Sequence, residues 1–455
     1  MSAAAAGRVV RGAVLSYRDD PARAGAQHAV RYHQRGAVVL GGDGRIAWCG
    51  SAAELPDRFR ALAADDYGPA LVLPGFIDAH IHFPQYRMLA APGRDLLDWL
   101  QRYTFPEECR YRSTAHACAA AEVFLDRRVR HGTTAAVVFS TVHRAATDAL
   151  FAAAEARRMA VVTGKTMMDR NAPAELCDDP ARGAEDSEVL IDRWHGRGRL
   201  RYAITVRFAV TSSEAQLRAA GGLAARHPGC HVHTHLSESQ AEIALVARDF
   251  PWAQDYTDVY DRFGLVGARS LFAHGIHLSE RERACLSAAG ATVVHCPTSN
   301  TFLGSGLFDL RRLRSGTHPV GVGLATDVGG GTSYSMLATM GEAYKVAMLR
   351  GYRPTAHELF HLATRGNAVR LGMDDQVGCL EPGRWADLVV LDPAATPVLA
   401  DRNELSANLE ETLFALAILG DDRAVRATYV AGRPAWLAEP AADPADSCRH
   451  PVAKE

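Results

Sequence analysis

The sequence predicts an α/β protein: a (β/α)8 TIM barrel with a small β-sandwich domain formed by the N- and C-terminal segments. Three observations lead there. Eight strand-like runs between Leu71 and Gly329 alternate with stretches rich in Ala, Leu, Arg and Glu. Segments of short strands broken by Gly and Pro lie at both ends of the chain. Histidines and carboxylates collect at the carboxyl ends of the strand-like runs, the end at which barrel enzymes place their chemistry.

In order, residues 1–70 read as the first half of the small β domain. Its hairpin signature is "GAVVLGGDGRIAWCG", two apolar runs around a Gly-Gly-Asp-Gly turn. Residues 71–375 read as the barrel. Its strands are "LVLPGFIDAHIH", "TTAAVVFST", "AVVTGKTMMD", "YAITVRFAVT", "CHVHTHLSE", "SLFAHGIHL", "ATVVHCP" and "VGVGLATDVG". Stretches such as "AHACAAAEVFLDRRVRHG" and "SERERACLSAAG" supply the helices between them. A doubly wound open sheet is the rival, but no Gly-rich phosphate loop follows the first strand. Residues 376–438, with "GCLEPGRWADLVVLDP" and "VRATYVAGRPAW", read as the second half of the small domain, and 439–455 as a flexible tail.

Composition narrows the function. Hydrophobic residues make up 48% of the 455, enough for a large core, and 50 basic against 52 acidic residues give a net charge of -2. No field of one sign favours nucleic acid or an anionic membrane, which leaves a small molecule as the expected partner. The nine cysteines form no CxxC pair and read as reduced, mostly buried thiols. The opening "MSAAAAGRVVRG" lacks the pattern of a secretory signal, and no run suits a membrane helix. Cytoplasmic location is the expectation.

Strand alternation sends His80 and His82 to one side, into the barrel, with Ile81 toward the helices. The fifth strand ends with His235 and, three residues on, Glu238; the sixth carries His274 and the eighth Asp327. His80, His82, His235 and Asp327 form a nitrogen and oxygen set suited to zinc, with ferrous iron as the alternative. His231 and His233 read as hydrogen-bonded core residues. Glu238, taken alone, would suit a helix N-terminus together with Ser237. Cys296 reads as a packed thiol, and Asn300 as a brace for its loop. The His-x-Glu and Pro-Cys-x-x-Cys signature of base-flipping zinc deaminases is absent, which argues against nucleic-acid editing.

The series "PGFIDAHIH", "HTHLSE", "AHG" and "ATD" resembles the amidohydrolase superfamily. Within it, "HIHFPQY", "GTTAAVVFSTVH", "GKTMMD", "RFAVTS", "HCPTSN" and "TDVGGGTSYSML", in that order along the chain, resemble the guanine deaminase family. Departures are confined to stretches between motifs and to positions such as Gly329 to Gly331. The resemblance implies one zinc per subunit on His80, His82, His235 and Asp327. It also implies a proton-shuttling Glu238, a water-orienting His274, and purine contacts from Gln85, Arg207 and Phe208. His235, Glu238 and Asp327 would touch the substrate as well, and a homodimer is implied. Two-metal relatives carry a carboxylated lysine on the fourth strand. Lys165 lies on the third and reads as a structural ion-pair residue, so one metal is expected.

The implied reaction is hydrolytic deamination of guanine to xanthine and ammonia in purine catabolism. Asp327 would take a proton from water, and Glu238, entering as a neutral acid, would protonate N3. Guanine presents O6 and N7 as acceptors to a guanidinium such as Arg207, whereas adenine sets an amino donor against it. Other aminohydrolase activities, on 8-oxoguanine, adenosine-type nucleosides, cytosine or pterins, are the alternatives. A non-catalytic scaffold is the reading from another class, opposed by the presence of every expected ligand.

Overall fold

Parallel strands covered by helices on their outer face are buried on both sides, and the central strands of this chain are buried along almost their whole length, with histidines and Asp78 among their apolar residues. The computed structural model describes residues 7–439, so the expected tail lies outside the described residues except for Glu439. Strands β1 (Arg8–Tyr17), β2 (Val30–Leu40), β3 (Ile46–Ser51) and β4 (Ala63–Pro74) come first. The barrel follows with β5 (Phe76–His82), β6 (Thr133–Phe139), β7 (Ala160–Gly164), the short β8 (Thr166–Met167) and β9 (Leu200–Val206). It continues through β10 (His231–Leu236), β11 (Ser270–His274), β12 (Thr292–His295) and β13 (Gly321–Leu324). Strands β14 (Leu388–Leu391), β15 (Val425–Val430) and β16 (Arg433–Leu437) end the described chain.

The two ends pair as expected. One seven-stranded mixed sheet runs β16-β15-β14-β4-β1-β2-β3. Its joint between the chain ends is the antiparallel pair of β4 and β14, with Leu388 opposite Pro74 and Leu391 opposite Leu71. The sheet folds over on itself. Ile46 N–H donates to Arg384 O, and Arg45 bridges Trp385, so the β3 edge meets the segment leading into β14. The run expected as one strand from Leu71 divides at Gly75: residues before it pair in the mixed sheet, residues after it in the barrel. A Cβ at Gly75 would lie 2.3 Å from Thr134 Oγ1, so only glycine lets the chain pass that close to β6.

The barrel strands run in parallel from β5 through β6, β7, β9, β10, β11 and β12 to β13, with β8 beside β9. The seam between β5 and β13 is closed by individual bonds. Asp327 N–H donates to His80 O at 3.0 Å and His82 N–H to Val328 O at 2.7 Å. Asn367 Nδ2 donates to Ile77 O at 2.6 Å and Leu324 O at 2.8 Å, while its Oδ1 accepts from Leu324 N–H at 2.9 Å. Buried Asp78 accepts from the Thr326 amide at 3.1 Å and from its hydroxyl. The seam therefore sets the two strand ends that carry His80, His82 and Asp327 against each other.

Arg199, just before β9, pairs with Asp387, just before β14; both are buried, and Asp387 also accepts from Ala431 N–H at 2.8 Å. This pair ties the barrel to the mixed sheet. Removing one member leaves an unmatched buried charge, which costs about 3–5 kcal/mol. Asp387→Ala is expected to lower the unfolding free energy from urea titration by that amount, and the midpoint with it, read by tryptophan fluorescence. An unchanged midpoint would show that the pair is not holding the two parts together.

Candidate functional site

The polar side chains sit where the strands end, and their backbone is unusual. Ser237, His274 and Asp327 have φ of 48, 71 and 50°, the left-handed region that non-glycine residues seldom adopt. Such residues persist only where the surroundings hold them, and here they turn side chains onto the barrel axis.

Four of the predicted residues converge. His80 Nε2 lies 3.1 Å from His82 Nε2 and 3.2 Å from Asp327 Oδ1. His82 Nε2 lies 3.3 Å from that same oxygen and 3.3 Å from His235 Nε2. Donor atoms of His80, His82 and Asp327 all lie within 4.8 Å of one another, as do those of His80, His235 and His274. Burial pushes the His82 imidazole down to about 3 and His235 well below its ordinary value, so each ring is neutral at pH 7 and offers one lone pair. Against burial, its contacts with the His80, His82 and His274 rings hold the Asp327 carboxyl well below its usual range. His235 Nδ1–H donates to Arg207 O at 2.7 Å, which aims its Nε2 lone pair into the cluster. Facing lone pairs and a carboxylate at these distances repel unless a cation sits among them, so the donor set fits a metal ion. Cys296 is near enough to join a second set with His274 and Asp327. Burial raises its thiol well above its ordinary pKa, which leaves it a packed thiol as expected.

Beside this cluster stands Glu238. Burial, with the Asp327 charge adding to it, pushes its carboxyl up to about 8, so it is neutral at pH 7. Ser305 Oγ donates to its Oε1 at 3.0 Å, and His274 Nε2 lies 3.4 Å from its Oε2. The helix-capping role that Glu238 could have filled belongs to Ser239, which forms a capping box with Glu242 at the start of the helix Gln240–Asp249. Glu238 is left outside the helix and points inward. His274 Nδ1–H donates to Asn300 Oδ1 at 2.8 Å, so Asn300, on the helix Pro297–Phe302, braces the histidine where a brace for its own loop was expected.

Gln85, Arg207 and Phe208 line the same slot as His82, Glu238 and Asp327. Leu96, Trp99 and Leu100 from the helical segment after β5 form its apolar wall. Trp99 is buried, and its indole N–H has no hydrogen-bond partner in the structure. Arg207 Nη1 reaches both oxygens of Glu108 at 2.7 and 2.8 Å, and Gln85 Nε2 donates to Glu108 Oε1 at 3.1 Å. Gly329 N–H donates to Gln85 Oε1 at 3.3 Å, fixing the other end of that amide.

Lys165 is directed elsewhere, toward Asp178, an ion pair of structural kind. His231 donates to Leu371 O at 3.1 Å, as a core histidine does. His233 does more than the core reading allowed. Its Nε2 lies 2.7 Å from His80 Nδ1, placed to take the Nδ1 proton in the tautomer that turns the His80 Nε2 lone pair to the cluster. Glu108, His233, Trp99 and Ser305 are the residues of the site that sequence reasoning missed. For His233 a signal existed: it shares the inward face of β10 with His235, two residues away.

Residues 71–435 match the amidohydrolase family. A guanine deaminase of Escherichia coli K12 is 45% identical over 409 residues, 89% of this chain and 92% of the relative. The chain belongs to the guanine deaminases of the amidohydrolase family. A crystal structure of guanine deaminase from Bradyrhizobium japonicum is 38% identical with a TM-score of 0.91, covering 95% of this chain and 100% of that one. A guanine deaminase from C. acetobutylicum, solved with guanine bound in its active site, is 28% identical with a TM-score of 0.83 over 94% of this chain and 99% of its own.

Proposed function

We propose that this protein hydrolyses free guanine to xanthine and ammonia, with one zinc ion held by His80, His82, His235 and Asp327. The observation that carries the reading is the meeting, in one slot, of a neutral buried carboxyl, a cation-seeking cluster and an anchored guanidinium. When bound, zinc acts as a Lewis acid that lowers the pKa of water from 15.7 to about 7. Asp327 accepts the proton that water loses. Glu238 donates its proton to N3 as the bond to C2 forms; its carboxylate then takes the proton of the added hydroxyl and passes it to the exocyclic amine, which leaves as ammonia as the C2 carbonyl forms, and the proton held by Asp327 restores the acid. His274, fixed by Asn300, orients the attacking oxygen between Glu238 and Asp327.

Recognition follows from the anchored groups. Arg207 donates to O6 and N7, with Gln85 on another edge and Phe208 and Trp99 against the ring faces. Adenine would leave a buried donor facing a donor, and a site built to bond one group excludes its replacement by roughly 10⁴-fold. Purified protein is therefore expected to release ammonia from guanine and yield xanthine, while adenine, adenosine, cytosine and pterins turn over at least roughly 10⁴-fold more slowly in kcat/KM. Faster turnover of any of these than of guanine would assign the protein to that substrate.

Glu108 is proposed as a positioning residue. Glu108→Gln keeps the shape but removes the charge that Arg207 is paired with. A loss of roughly 10- to 100-fold in kcat/KM, mostly in KM, follows from about 1–3 kcal/mol of misplaced buried hydrogen bonding. A kcat defect with unchanged KM would instead put Glu108 in the chemical step. The domain limits 1–70, 71–375 and 376–438 remain our proposal, as do a cytoplasmic location and a homodimer. Among the described residues no helix is long and apolar enough to cross a membrane, and eight cysteines are free thiols.

A further inference from the structure

A second cavity lies well away from the slot above. It measures about 550 Å³ and opens at the start of β13, where Gly321 and Val322 lie in its wall. Asp327 follows the far end of that strand, so the two sites are separated by six residues of extended chain, roughly 20 Å. Four guanidinium groups line the cavity: Arg23, Arg311, Arg314 and Arg370. One carboxylate, Asp20, faces them, and it is engaged by Arg314 at 2.6 Å. Arg23, Arg311 and Arg370 are paired with no carboxylate among the described residues. Burial, and then the charge of Arg314, pull the Arg370 guanidinium below its ordinary value.

Two further features point to a ligand. His361 is 6% exposed and lines the cavity, yet its Nδ1 has no hydrogen-bond partner; Asp20 Oδ1 is 3.8 Å away, beyond bonding reach. At Gly321 a Cβ would lie 2.6 Å from Arg370 Nη1, so the absence of a side chain there lets the guanidinium lie along the cavity floor. Leu310, Val320 and Tyr352 supply apolar surface beside these charges. Three unmatched guanidiniums around a roomy, partly apolar cavity suit a multiply charged oxyanion, which arginine forks bind through paired hydrogen bonds.

We propose that this cavity, at the opposite end of the barrel from the catalytic rim, binds a phosphate-bearing small molecule through Arg23, Arg311 and Arg370, with His361 as an additional hydrogen-bonding partner. The phosphate is the recognised group, whether free or carried by a nucleotide.

Isothermal titration calorimetry on the metal-loaded full chain, at low and matched ionic strength, tests it with inorganic phosphate, AMP and adenosine. The expected result is a dissociation constant below about 1 mM for phosphate or AMP and no heat from adenosine. Comparable affinity for phosphate and AMP identifies the free anion as sufficient; tighter binding of AMP identifies a nucleotide. Arg370→Gln, and separately the exposed pair Arg23→Gln with Arg311→Gln, should each weaken binding at least 10-fold. Both variants should leave guanine turnover unchanged, which also reads out their folding. Absence of binding by both phosphate and AMP overturns the proposal, and so does binding that neither variant weakens.

Discussion

His82→Ala is expected to abolish guanine turnover and to empty the metal site together. His82 Nε2 is within 3.3 Å of His80, His235 and Asp327 donor atoms, so it stands at the centre of the proposed ligand set. With it gone, three of the four proposed protein donors remain, spread around a gap left by the donor that stands nearest to all the others, so they no longer close on one ion. The Lewis acidity that makes water reactive at neutral pH is lost with the ion. A fall in kcat/KM of more than about 10³-fold is therefore expected. Elemental analysis should show less than one tenth of the metal bound by the parent protein, and thermal unfolding should show a fold otherwise intact. Full metal content in an inactive variant would move His82 from ligand to substrate contact. Retention of both metal and activity would remove the ligand assignment altogether.

Much of this was legible in the sequence because strand periodicity and chemistry coincide. His80 and His82 share a face through two-residue alternation, and the eight strand-like runs mark where each polar residue would emerge. Barrel topology then brings residues from β5, β10, β11 and the end of β13 to one rim without any further information. Glu108 was not legible. It sits in "FPEEC", one of two adjacent glutamates on a short helix in a charged stretch, and nothing local separates it from its neighbour. Only tertiary packing decides that Glu108 is buried against Arg207 while Glu107 takes surface arginines. The division of the first strand at Gly75 was hidden for a related reason. An apolar run that leaves one sheet and enters another looks continuous, because both stretches are buried. His233 was read as a hydrogen-bonded core residue, and it is buried and hydrogen-bonded; what the sequence did not show was its partner. Its partner is His80, so the same packing bond orients a proposed ligand.

Glu238→Gln separates proton transfer from everything else in the slot. The amide has the shape of the neutral acid and can still accept the hydrogen bond from Ser305, so the pocket should keep its form. It cannot give up a proton and regain one, which the proposed path requires at N3 and again at the leaving amine. General acid–base catalysis contributes roughly 10²–10⁴-fold in rate, and with two transfers passing through one group the loss in kcat should reach the upper end of that range. KM should change less than about 5-fold, because the lost interaction belongs to the transition state and not to the bound purine. Metal content should equal that of the parent, since Glu238 is not among the proposed ligands. This pattern, an intact metal site and near-normal KM with kcat nearly gone, is opposite to that expected of His82→Ala. A Glu238→Gln protein that keeps more than about a tenth of parental kcat would show that the protons travel by another route. His274, at 3.4 Å from Glu238 and 3.8 Å from Asp327, would then be the group to replace next.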